Sequence, residues 1–90
     1  MAHEIIPDPS VEDQGRTGRL QGISAADIVA RLGFSSNRQD DPDKVRYSWG
    51  FTVNGFKCAI WDYKGSGAHG SFSTWGSREV LSALFGNHFA

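Results

Sequence analysis

Cysteine is nearly absent from this 90-residue chain: Cys58 stands alone, so no intrachain disulfide forms and no Cys-rich metal site can be built. Long apolar runs are missing too. No stretch of about 18 apolar residues offers a membrane span, and the first residues lack the basic-then-apolar pattern of a secretion signal. The net charge of −1 leaves no bulk positive charge for duplex nucleic acid. Catalytic motifs are equally scarce. There is no nucleophile elbow, no Gly-Lys-Ser/Thr phosphate loop and no EF-hand spacing. These absences lead to the expectation of a soluble, cytoplasmic, non-enzymatic protein that carries no cofactor and no metal.

What the chain does have is aromatic alternation around one turn. Val45 to Tyr63 reads as two strands, 45–53 and 56–63, closed by Asn54-Gly55, the strongest short hairpin signal. Counting outward from Val53 and Phe56, Phe51 faces Cys58, Trp49 faces Ile60, Tyr47 faces Asp62 and Arg46 faces Tyr63. One side then carries Tyr47, Trp49, Phe51, Val53, Phe56, Cys58 and Ile60 as a core face, with Asp62 at its open end. The other side gathers Arg46, Trp61 and Tyr63 at one end. Two aromatics beside a cation form a stacking platform for a base or a partner's side chain, unless the N-terminal tail, another strand or a second subunit covers them.

The flanking segments complete an α+β domain. Residues 1–18 net −3 and contain Pro7 and Pro9, and read as a flexible acidic arm that Ile5-Ile6 anchors or turns into a short edge strand; residues 19–90 net +2 and form the single domain. A helix over about 25–32 starts at Ser24 with Asp27 three residues on, has Ile23 and Ile28 as a staple, and ends at Gly33. Ser35 to Lys44 is a solvated loop whose Asp40, Asp41 and Asp43 lack calcium-site spacing. After the hairpin, Lys64 to Gly70 is a Gly-rich connection, 71–75 a short third strand, and 77–85 a second helix capped by Ser77. Both helices are expected on one face of a small antiparallel sheet. So small a core favours a homodimer.

Four catalytic arrangements are available by residue type, and none has its motif. They are Cys58 with His69, Asp62 with Glu79, a zinc set of His3, His69 and His88, and Ser71 or Ser73 with His69 and Asp62. A binding site is better supported where the hairpin's open end meets the third strand. Lys64 and Arg78 would neutralise phosphates there while Trp61, Tyr63 or Trp75 stacks a base, with His69 on the Gly-rich loop and Arg46 across the hairpin. Alternatively, Asp62 forms a structural ion pair with Lys64 or Arg78 among packed aromatics.

Read as a series, GRLQG, a helix ending RLGF, DKVRYSWGFTVNG, CAIWDYKGS, FSTWG and REVLSALFG resemble a group of small bacteriophage proteins of unassigned function. The likeness runs from about Gly18 to Gly86 and is sharpest at Ile60-Trp61-Asp62-Tyr63-Lys64. Trp61 stands where that group has tyrosine, and Thr74-Trp75-Gly76-Ser77 replaces its Trp-x-Gly-Gly turn. The resemblance implies a phage origin and a host-cytoplasmic setting, and it supplies no activity. The leading expectation is therefore a phage-type accessory protein that binds and blocks a host (defence) protein stoichiometrically. The alternative is a ligand-sequestering protein that takes a nucleotide or another phosphate-bearing ligand near the Gly-rich loop and a dimer interface. A structural or assembly component is the third.

Overall fold

Asn54 and Gly55 take φ of 51° and 88°, the left-handed pair that a type I′ turn needs, and the hairpin closes where the sequence places it. The computed structural model describes residues 4–38 and 45–90; the loop aspartates Asp40, Asp41 and Asp43, and His3, lie outside them. The elements are β1 (Ile5–Pro7), β2 (Gly18–Gln21), α1 (Ala25–Leu32), β3 (Val45–Val53), β4 (Phe56–Tyr63), β5 (Ser71–Gly76) and α2 (Arg78–Phe85). Among the described residues they form one five-stranded antiparallel sheet in the order β1-β3-β4-β5-β2. This is the expected α+β fold, enlarged by two outer strands.

Both helices lie on one face, where Ile28 and Leu32 of α1 and Leu81 and Phe85 of α2 meet Trp49, Phe51, Ile60 and Phe72 of the sheet. Helix α1 begins as its sequence dictates. The Ser24 hydroxyl accepts the Asp27 amide at 3.1 Å and the Asp27 carboxylate accepts the Ser24 amide at 3.3 Å. Donation to the carboxylate from the Ser24 backbone amide first, and from the Ser24 side chain second, holds the Asp27 carboxyl below its ordinary value of 3.8. The stabilisation is therefore complete above the unfolded value and is lost as the pH falls through the lower folded one. The melting temperature should fall in that acid range, and Asp27→Ala should flatten part of the fall in a pH series of thermal melts.

Three expectations about the sheet are settled or corrected. First, of the readings of residues 1–18 the edge strand at Ile5-Ile6 is the one that forms: the described part of the arm supplies β1, which pairs with β3, and the start of β2, which pairs with β5. The edge that β1 presents is blunt, because Ile6 turns its backbone groups inward and Pro7 has no N–H to offer. Second, the hairpin register holds only from Val53↔Phe56 to Ser48↔Trp61; Val45 then faces Tyr63, so Arg46 and Tyr47 together oppose Asp62 in a β-bulge. Arg46 is thus not across from Tyr63. Third, Tyr47 and Phe56, counted on the core face, are 41% and 56% exposed because they stand at the hairpin's two ends.

The face away from the helices is also covered. The Asp8 amide donates to the Gly50 carbonyl at 2.8 Å, and the backbone crosses so close that a Cβ on residue 50 would collide with the Asp8 carbonyl oxygen. Val11 then seats itself over Ala59 and Trp61. Where β1 stops, side chains take over the edge of β3. Ser36 Oγ accepts the Ser48 amide at 2.9 Å, and Asn37 both accepts the Gly50 amide at 2.8 Å and donates to its carbonyl at 3.0 Å. Every backbone group on that stretch is paired without a strand.

Candidate binding surface at the open end of the hairpin

The residues expected to form one site fall into three places. Trp61 and Trp75 lie on the covered face, in a second small core with Val11, Ala59 and Val45. Trp61 is 9% exposed, and the Arg38 guanidinium sits 5.5 Å from its ring centroid. Arg38 also donates to Ser48 Oγ at 2.7 Å, to the Val11 carbonyl at 3.2 Å and to Asp13 at 3.0 Å. The platform is therefore filled from within the chain, which is the covered alternative. Arg38 and Val11 were not legible as its cover, because both sit in polar stretches with no local periodicity.

Arg78 occupies a second place, at the start of α2. It donates to the Thr17 carbonyl at 2.6 Å and lies 5.0 Å from the Phe89 ring centroid. Since Gly76 pairs with Cys58, this is the turn end of the hairpin, whereas Lys64 follows its open end. Six residues of extended strand, about 20 Å, separate the two cations. The phosphate clamp of Lys64 with Arg78 is thus not assembled. Neither cation pairs with Asp62 in the structure.

The third place keeps Arg46, Tyr63, Lys64 and His69 together at the open end of the hairpin and the 3₁₀ turn Ser66–His69 that follows it. Asp62 organises this end from below. It is buried, and its Oδ1 accepts the amides of Arg46 and Tyr47 at 2.8 and 2.7 Å, so one carboxylate oxygen pins both residues of the bulge. Tyr47, two residues before Trp49 on the same face, stacks on it, with centroids 5.9 Å apart and planes 18° from parallel. Trp49 is itself locked, donating Nε1–H to the Phe34 carbonyl at 3.3 Å. Tyr63, 45% exposed, carries the Lys64 ammonium 5.4 Å from its ring centroid. Tyr47 was missed as a surface residue. The signal was its placement opposite an aspartate, where an apolar face must be ending.

The nucleophile and metal readings find no geometry among the described residues. Burial pushes the Cys58 thiol up to about 11, and its Sγ lies 3.8 Å from the Phe56 carbonyl at the turn end, away from His69. No described group of three or more His, Cys, Asp and Glu side chains gathers as a metal site, and no described helix is long and apolar enough to cross a membrane. A second surface feature is a groove of about 350 Å³ between the hairpin turn and α2, lined by Asn54, Phe56, Ser77, Glu79, Val80 and Ala83. Compared with protein-family models, with curated proteins and with solved structures, the chain matches none of them.

Proposed function

We propose that this chain is a binding module that acts stoichiometrically, capturing a protein partner through the tyrosine–cation end of its central hairpin. In the setting that the Ile60–Lys64 resemblance suggests, the partner is a host protein blocked by a phage accessory protein. The observation that carries the reading is the exposure of Tyr47, whose amide the buried Asp62 holds in place, with Tyr63 exposed at the same end of the hairpin. Rigid tyrosines give contact area at little cost in side-chain entropy, and they dominate the energetics of many interfaces. Arg46 and Lys64 flank them, which favours a carboxylate-bearing partner surface.

The test uses the tagged chain as bait in host-cell extract, with Tyr63→Ala and Lys64→Glu as variants. Both should weaken capture of the partner by about 2 kcal/mol, roughly thirtyfold, as anchor residues do. Stability should move by no more than about 0.5 kcal/mol, because neither side chain packs in the core. Undiminished capture by both variants would take this surface out of consideration. A small mass that co-purifies and is lost on denaturation, seen by native mass spectrometry, would instead favour the ligand-sequestering reading.

A further inference from the structure

Residues 88–90 of the chain itself lie along the outer edge of β2. Arg19 exchanges two backbone hydrogen bonds with Ala90, at 3.0 and 2.9 Å, and Phe89 bridges to Leu20 in antiparallel fashion. His88 Nδ1 lies 2.9 Å from the Gln21 carbonyl, and Arg78 covers the carbonyl of Thr17. The Phe89 ring lies over Gly18, where a Cβ would stand 2.8 and 2.9 Å from its ring carbons and 3.0 Å from Thr74 Oγ1. Thr74 is fully buried, and its hydroxyl has no hydrogen-bond partner among the described residues. A buried hydroxyl is normally satisfied. Here the space over Gly18 that it borders is otherwise bordered by the Phe89 ring, which has no polar atom to offer it.

The geometry points to the β2 edge as a strand-addition site for an extended segment of a partner protein that carries a tyrosine, with residues 88–90 as a short internal placeholder. Backbone pairing to Arg19 and Gln21 supplies affinity in such a mode, and the pocket over Gly18 reads one side chain. A tyrosine in the position of Phe89 carries a hydroxyl on Cζ, the ring carbon that borders the same space over Gly18 as Thr74 Oγ1, and in this mode the two hydroxyls pair. Glycine at position 18 leaves the space the ring needs. This surface is separate from the tyrosine–cation end and stands or falls independently of it.

The probe is a fluorescein-labelled capped peptide, acetyl-Asn-His-Tyr-Ala-Thr-Lys-amide, with its phenylalanine counterpart, titrated into the full chain by anisotropy. Phe89→Ala, which empties the pocket, should bind the tyrosine peptide at least tenfold more tightly than the unaltered chain and prefer it to the phenylalanine one. Adding Gly18→Ala to that variant should abolish the gain. No gain in Phe89→Ala, or equal binding of the two peptides, overturns the proposal. So does self-association of Phe89→Ala in sedimentation, which would make the occupant a second copy. Phe89→Tyr gives a check in a chain with its edge still covered: its melting temperature should rise and its peptide affinity fall, and a lowered melting temperature counts against the site.

Discussion

Replacing Trp61 with alanine should destabilise the domain by about 3–5 kcal/mol, the cost of emptying a buried aromatic site. In a chain of this size that corresponds to roughly 4–8 °C of melting temperature per kcal/mol. The ring has Val11 on it, Ala59 beside it and the Arg38 guanidinium above it. Its loss removes the floor on which residues 8–13 rest. Arg38, whose side chain is 6% exposed, keeps Asp13 at 3.0 Å but loses the aromatic face that shares its charge. The substitution should therefore open the segment around Val11 to proteolysis before the sheet itself melts. Urea titration and limited proteolysis measure the two effects separately. A docking-platform role makes the opposite prediction, with stability within about 0.5 kcal/mol of the unaltered chain and partner capture lost.

Trp61 also shows how far sequence carries in this chain and where it stops. Alternation around Asn54-Gly55 places its ring on the face away from the helices, and the structure agrees. Whether that face is open depends on Val11 and Arg38, which lie 50 and 23 positions earlier in the sequence. Neither belongs to a periodic segment, so no local rule joins them to it. The helices were legible for the opposite reason. Ser24 with Asp27, and Ser77 with the amide of Val80, are caps closed within three residues. Strands β1 and β2, three and four residues long, are too short to show alternation and exist through partners far along the chain. The candidate site divides along the same line. Tyr63, Lys64, His69 and Arg46 stay together because one end of a hairpin and the turn after it hold them. Arg78 leaves because β5 carries the chain back along the sheet before α2 begins.

Asp62→Ala should cost about 2–4 kcal/mol, since it leaves two backbone amides without an acceptor. Asp62→Asn should cost within about 1 kcal/mol, because two changes oppose each other. The amide oxygen still accepts from Arg46 and Tyr47, though without the strength a full charge lends those bonds. Against that, Oδ2 is buried with no hydrogen-bond partner among the described residues, and a Cβ on Gly67 would stand 3.0 Å from both it and the Phe72 ring. A neutral amide is less costly than a carboxylate in such surroundings. Chemical denaturation gives the two stabilities, and hydrogen exchange at the amides of Arg46 and Tyr47 reports the bulge directly. Both amides should exchange rapidly in the alanine variant and stay protected in the asparagine one. If asparagine proves as damaging as alanine, the negative charge rather than the shape of the acceptor holds the bulge. If alanine does no harm, Asp62 is not what orients Tyr47, and the surface proposed for partner capture loses its rigid base.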